Sequence, residues 1–180
     1  MNHDDYVNLL RPANLPEGGV YADFGAGRGA FTLALRELIG LDAIIYVVDR
    51  DKSALLELEH SHRARFDSSS NLFLLSNDFS RPFDLPPLDG IVMANSLHYF
   101  RDREKILRHV HGFLKPNGAL MLIEYNVDSG NIWVPHPLSF ETFSTLAPRT
   151  GFTGTRLLAK APSRFLKEFY SAIAYKSSAG

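Results

Sequence analysis

The stretch Tyr21-Ala22-Asp23-Phe24-Gly25-Ala26-Gly27-Arg28-Gly29 decides how the chain is read. It joins a short apolar run, Val20 to Phe24, to a segment of helical periodicity from about Ala30 to Ile39, with Gly40 placed as its C-terminal cap. Between a strand and a helix the backbone must turn sharply and approach any ligand closely, and glycine does both at low steric cost. Such a loop predicts a nucleotide-like ligand. By spacing, Gly25-Ala26-Gly27-Arg28-Gly29-Ala30 also fits the loose dinucleotide pattern. Asp23 discriminates: a carboxylate just upstream of the loop repels a pyrophosphate and attracts an ammonium or a sulfonium.

Outward from this loop the segments alternate in type. Ala43 to Asp49 is continuous and β-branched, the pattern of a strand buried on both faces. Asp51 is placed to cap a helix that carries Ala54, Leu55 and Leu58. Leu72 to Ser76 predicts a third strand, Gly90 to Ala94 a fourth, and Ala119 to Ile123 a fifth after a turn at Lys115-Pro116-Asn117-Gly118. Ile106, Leu107, Val110, Phe113 and Leu114 recur at helical spacing before that turn. The rhythm predicts an α/β protein with a mostly parallel sheet and helices on both faces. Beyond Glu124 a loop is expected from Tyr125 to Pro137, then a helix capped by Ser139 that stops before Pro148. Strand-like runs near Thr153–Ala159 and Phe165–Ala174, with a polar turn at Pro162-Ser163 between them, predict a C-terminal antiparallel hairpin.

At 180 residues the chain has the length of one α/β domain, with a cofactor half at about 18–100 and an acceptor half at about 101–180. Hydrophobic residues at 45% and charged residues at 22% give a globular protein with a real core. A formal net charge of −1 excludes a general nucleic-acid binder. With no cysteine, disulfides, thiolate metal sites and a Cys nucleophile are excluded. No apolar run nears the roughly 20 residues that span a bilayer. Met1-Asn2-His3-Asp4-Asp5 is polar and acidic, unlike a signal peptide, so a cytoplasmic location is expected. The pairs His60/His62 and His109/His111 put their members on different helix faces with no carboxylate cluster beside them, so no metal site is expected.

On these residues the chain resembles the class I S-adenosylmethionine-dependent methyltransferases, and among them the compact small-molecule-type members. The likeness runs at motif level from about Val20 through Glu124 and more weakly beyond, and Tyr21 to Gly29 matches the family's first motif closely. It implies a Rossmann-like, seven-stranded sheet ending in the antiparallel hairpin. It implies S-adenosylmethionine as cofactor, with S-adenosylhomocysteine as product. Phe24, Gly25, Ala26, Gly27 and Gly29 would form the loop under the methionine part, and Asp23 would steady that loop and the ammonium. Asp49, at the end of the second strand, is placed to accept from both ribose hydroxyls, with Arg50 over the adenine edge. Asn77-Asp78-Phe79 follows the third strand. There the resemblance puts an acid on the adenine amino group and a backbone N–H on a ring nitrogen, with Phe79 either on the adenine face or in the core. Asn95 and Ser96 follow the fourth strand. Strands one and four flank the point where strand order reverses, and ligands sit outside the carboxyl ends there, so both residues are expected near the sulfonium.

Asn95-Ser96-Leu97-His98 departs from the pattern of base-N-methylating nucleic-acid enzymes of this fold, an acid or Asn followed by two prolines and an aromatic. His98 is the candidate general base, its ordinary pKa suiting proton removal near neutrality; the alternative is a histidine that holds the turn. Methyl transfer from a sulfonium needs alignment more than a base. Candidates for the acceptor side are Glu124 and Tyr125 at the fifth strand's end and Trp133 and His136 in the following loop. Glu124 either binds substrate or pairs within the scaffold, and Trp133 either walls the pocket or pins its loop. Two basic groups, Arg101, Arg103, Lys105, Arg108 and Arg156, Lys160, Arg164, Lys167, read as solvated rims and not as a nucleic-acid face. The expected activity is methyl transfer to an O, N or C nucleophile of a small-molecule acceptor. The rival readings are a cofactor-binding module without activity that serves as partner subunit or sensor, a methyltransferase of RNA or protein, and a nicotinamide-dependent oxidoreductase, which Asp23 opposes.

Overall fold

The computed structural model describes residues 1–68, 70–163 and 165–178. In chain order the elements are α1 (His3–Leu10), β1 (Val20–Phe24), α2 (Ala30–Ile39), β2 (Ile44–Asp49), α3 (Lys52–Phe66), β3 (Leu72–Ser76), β4 (Leu88–Ala94), α4 (Arg103–Phe113), β5 (Leu114–Tyr125), α5 (Phe140–Arg149), β6 (Phe152–Ser163) and β7 (Lys167–Lys176). One seven-stranded sheet has the order β3-β2-β1-β4-β5-β7-β6. Strands β1 to β5 pair in parallel, and β7 runs antiparallel to both β5 and β6. This is the Rossmann-like class I architecture, with the order reversing between β1 and β4.

Alternate side chains of the central strands feed two cores. Tyr21, Ile45, Val47, Val92 and Met121 pack with α1, α2 and α3 on one face. Ala22, Phe24, Met93, Leu120 and Leu122 pack with α4 and α5 on the other. Burial on both faces is why these strands read as continuous apolar runs. Local signals set the helix starts. The Asp51 carboxylate accepts from the Ser53 and Ala54 N–H groups, and Ser139 accepts from Thr142 N–H.

Four features differ from the sequence expectation. Helix α1 was not anticipated. Asn2 and Asp5 form a reciprocal capping box, and Val7, Leu9 and Leu10 bury against α2. The expected turn at Lys115–Gly118 lies inside β5, as an irregularity between the pairs Leu88–Leu114 and Gly90–Ala119. Helix α5 continues through Pro148. There the chain closes with bonds of three-residue span, Thr150 N–H to Ala147 O and Gly151 N–H to Pro148 O, so the missing proline N–H costs little at a helix end. The hairpin keeps its pairing through Pro162–Glu168 and Ser163–Lys167, which moves the turn past Ser163. Strand β6 is an edge, where proline is tolerated. Arg164, of the second basic group, lies outside the described residues.

Candidate active site

The glycine loop leaves β1 and enters α2 with Gly25, Gly27 and Gly29 all at positive φ (77°, 52° and 84°). Two of the three are also held by contact. A Cβ on Gly25 would meet Ser96 Cβ at 2.5 Å, and one on Gly29 would collide with Leu58. A Cβ on Gly27 would meet nothing within 4 Å, so the backbone there faces open space. Asp49 sets the loop's shape: Oδ2 accepts from Gly27 N–H at 2.8 Å and Oδ1 from Asp51 N–H at 2.9 Å. Gly29 takes the N-cap position of α2 without a side-chain cap, which leaves first-turn N–H groups of that helix to solvent or ligand.

Asp23 stands behind the loop and not on its surface. It is 1% exposed, and Thr32 donates its hydroxyl to Oδ2 at 2.6 Å. The other oxygen, Oδ1, is buried without a partner. Burial, and to a smaller degree the Asp49 carboxylate, push this group up to about 7 against the pull of Thr32. Its charge near neutrality is therefore set by whatever cation approaches, a weaker lever against a pyrophosphate than a permanent surface carboxylate.

A cleft of about 260 Å³ opens at the carboxyl ends of β1, β2, β3 and β4. Gly25, Asp49 and Arg50 line one side, and Asn77, Asp78 and Phe79 another. Asp78 is held below the usual carboxylate range, chiefly by the Ser80 hydroxyl donating to Oδ1 at 2.6 Å. Phe79 stacks on Phe24 at 5.6 Å and meets Phe100 edge-on at 5.4 Å, so it joins the core to the cleft wall. Asn95, Ser96, Tyr99 and Phe100 close the cleft. Tyr99 and Phe100 were not assigned to the site from the sequence; the available signal was an aromatic pair in the turn that follows β4.

Asn95 also borders a second cleft, of about 540 Å³. Asp5 and Tyr6 of α1, Tyr125 at the end of β5, and Phe165 and Phe169 of the hairpin wall it. Asn95 adopts φ +52°, and its Oδ1 is buried without a partner at the seam between the clefts. The contributions of α1 and of Phe165 and Phe169 were not assigned from the sequence. A further cleft of about 490 Å³, between the Pro82–Pro87 segment and α4, contains none of the expected residues.

Several expected site residues lie elsewhere. The Phe24 side chain is buried in the core, and only its carbonyl serves the site, accepting from Ser96 Oγ at 2.9 Å. Ala26 packs beside the α2-side core, and Ala26, Gly27 and Gly29 border neither cleft, Gly29 being buried against Leu58. Glu124 is 0% exposed and does not reach a cleft. Its carboxylate accepts from the Leu97 and His98 N–H groups and from His98 Nδ1, the last at 2.8 Å. His98 is likewise buried and lines neither cleft, so the pair fastens the turn after β4 to the end of β5. Trp133 is 71% exposed on the outer loop, because its neighbour Val134, not the indole, enters the core. His136 is tied through its backbone N–H to His98 O, away from both clefts. Of the basic groups, Arg108 pairs with Glu104, Lys160 with Glu168, and Arg103 donates to Pro137 O.

Comparison with known proteins agrees with this geometry. The family profile described as a methyltransferase domain matches residues 22–120, and the chain belongs to that family, the class I S-adenosylmethionine-dependent methyltransferases. The chain is 33% identical over 126 residues to acetylserotonin O-methyltransferase of Mus musculus, covering 68% of this chain and 32% of that protein. It is 23% identical over 110 residues to the ubiquinone/menaquinone biosynthesis C-methyltransferase UbiE of Blochmanniella pennsylvanica, covering 61% and 43%. The chain thus spans less than half the length of these curated relatives. Its fold is similar to that of a Burkholderia thailandensis 1,6-didemethyltoxoflavin-N1-methyltransferase, solved with 1,6-didemethyltoxoflavin and S-adenosylhomocysteine. The TM-score is 0.75 at 15% identity, covering 98% of this chain and 78% of that one. Among the described residues no helix is long and apolar enough to cross a membrane.

Proposed function

We propose that this chain transfers a methyl group from S-adenosylmethionine to an O, N or C nucleophile of a small molecule. The observation that carries the reading is the pair of clefts meeting at Asn95, one lined by Asp49, Asn77 and Asp78 among its residues, the other by Tyr6, Tyr125, Phe165 and Phe169, at the point where strand order reverses. The residues present fit the cofactor. Asp49 lines the cleft, and each of its oxygens, having accepted one backbone N–H, keeps a lone pair for a ribose hydroxyl, while Asp78, held ionised, suits an exocyclic amine. Arg50, Asn77 and Phe79 border the same space. The uncapped start of α2 and the orphaned Asp23 Oδ1 match a carboxylate and an ammonium on one small group. When bound, the cofactor supplies an electrophilic methyl on a sulfonium.

The chain's own part is placement. Gly25 and Gly27 let the backbone pass close beneath the cofactor, Gly29 lets the loop pack on Leu58, Ser96 locks that loop to the turn after β4, and Asn95 marks the seam where donor and acceptor meet. His98 and Glu124 act as positioning residues for the 95–100 turn, and no proton transfer is assigned to them. The whole chain is read as one domain, with the cofactor half at about 18–100 and the acceptor half at about 101–180 joined by α1. A cytoplasmic location belongs to this reading because the donor is a cellular metabolite. A small-molecule acceptor is favoured over nucleic acid because no cationic side chain is found among the described residues lining the aromatic cleft.

The test is transfer of labelled methyl from S-adenosylmethionine into a mixed pool of small amines, phenols and carbon acids. Label in a small product, strongly reduced by Asp49→Asn, is expected. Cofactor binding with no transfer to any small molecule, or transfer confined to RNA or protein, overturns the reading.

A further inference from the structure

Among the described residues, Asn95 alone borders both clefts. It follows β4 in the left-handed region, at φ +52°, with its N–H donating to Ile123 O at 2.9 Å. Ser96 Oγ donates to Phe24 O at 2.9 Å, so the backbone here is fixed to β5 on one side and to β1 on the other. A left-handed backbone is cheap for glycine and unfavourable for a residue that carries a Cβ. Asparagine commonly offsets the difference by hydrogen bonding to its own local backbone. Asn95 does not. Its Oδ1 is buried without a partner, and no described residue hydrogen-bonds its carboxamide. A side chain is thus kept where glycine would strain less, and it does nothing for the fold that a hydrogen bond would show.

The polar groups around it are engaged. Asn77 Oδ1 accepts the Asp78 N–H at 2.8 Å, each Asp49 oxygen accepts a backbone N–H, and Glu124 accepts from Leu97 and His98. The terminal torsion of asparagine is soft, so the carboxamide can turn its oxygen toward whichever side brings positive charge. Within the proposed cofactor two groups carry such charge. The ammonium is matched by Asp23 and the start of α2, which leaves the sulfonium for the residue at the seam.

We propose, resting on the methyltransferase reading, that the Asn95 side-chain oxygen contacts the sulfonium methyl of bound S-adenosylmethionine, holds it toward the second cleft, and so tells the charged cofactor from its neutral product. The attraction is between the carbonyl dipole and the positive charge spread over the methyl hydrogens. In S-adenosylhomocysteine the oxygen has no such partner and is orphaned again, which favours exchange of product for fresh cofactor.

The test is calorimetric titration near pH 7.5 of the native chain, Asn95→Gly and Asn95→Asp. The ligands are S-adenosylmethionine, S-adenosylhomocysteine and sinefungin, in which a protonated amine on carbon stands in place of the methylated sulfur. Glycine keeps the left-handed backbone without the side chain, and aspartate keeps the shape with a charged oxygen. The native chain is expected to bind S-adenosylmethionine about fivefold, and sinefungin about tenfold, tighter than S-adenosylhomocysteine. Asn95→Gly should lower each ratio about threefold or more while S-adenosylhomocysteine still binds, and Asn95→Asp should raise both. The Met1 ammonium and the Asp5 carboxylate, which line the second cleft, are common to all three proteins and cancel from these comparisons. No preference in the native chain, ratios that survive Asn95→Gly, or ratios that Asn95→Asp leaves unmoved overturn the proposal while the cofactor assignment stands. So does an equal loss of affinity for all three ligands, which a purely structural role or a contact with the cofactor's ammonium would give. A native chain that binds none of the three removes the assignment itself, and this proposal with it.

Discussion

Gly25 concentrates the site's demands at one residue. Its φ of +77° disfavours any side chain, and an added Cβ would press on Ser96 and Phe79, both of which line the switch-point cleft. Gly25→Ala should therefore cost about 1–3 kcal/mol of stability and lower affinity for S-adenosylhomocysteine by roughly tenfold or more. Gly40→Ala is the control, since Gly40 has similar φ, +79°, but open space around it. Denaturant unfolding should show strain in both variants, and calorimetry should show lost affinity only in the first. Asp23 gives a second test at this scale. Its carboxyl is raised to about 7, so its contribution to the stability of the ligand-free protein is fully present below about pH 4 and is lost as pH rises through about 7. A cationic ligand favours the ionised form and should expel a proton on binding near pH 7. The observed binding enthalpy of S-adenosylmethionine should then vary with the ionisation enthalpy of the buffer, and the slope should fall toward zero in Asp23→Asn.

Elements are joined by contacts of a different kind. Arg36 of α2 is buried, and its guanidinium donates to Gly40 O, Ala43 O and Asn71 O at 2.6–3.0 Å, tying the end of α2 to the starts of β2 and β3. Its Nε–H donates to His62 Nε2 of α3 at 3.1 Å, which requires a neutral imidazole whose Nδ1–H donates to Ser68 O. Burial, and then Arg36, lower the His62 pKa. With the folded value below the unfolded one, stability is fully present above about pH 6.5 and is lost as pH falls below it. Urea midpoints measured from pH 7.5 to 5.5 should decline, and the His62→Gln variant, which carries no titrating proton there, should flatten the decline. The Asp23→Asn background keeps the opposing Asp23 effect out of the comparison. This bridge was not legible in the sequence. His62 was weighed only against a metal role, and a partner on a neighbouring helix leaves no local trace. The α2 and α3 boundaries were legible, because Gly40 and Asp51 act on their own turns.

Across the whole molecule, what was readable followed the same division. The parallel strands announced themselves because burial on both faces imposes unbroken apolar runs. The lining of the cleft at the switch point was foreseeable through Gly25, Asp49, Asp78 and Asn95, since each sits at the carboxyl end of a strand that the rhythm had already placed. The acceptor side was not. Glu124 and His98 meet only because β4 and β5 are neighbours, and Tyr6, Phe165 and Phe169 share a wall only because α1 and the hairpin converge. Trp133, the most conspicuous ring in the sequence, stands outside for the same reason: tertiary convergence, not residue type, chose the walls. At the switch point the proposed ligand of the cleft is S-adenosylmethionine. Calorimetric titration of the native chain with S-adenosylhomocysteine and, separately, with NAD tests it most directly. A single site for S-adenosylhomocysteine with no detectable heat from NAD is the predicted result, and tighter binding of NAD, or binding of neither, would contradict it.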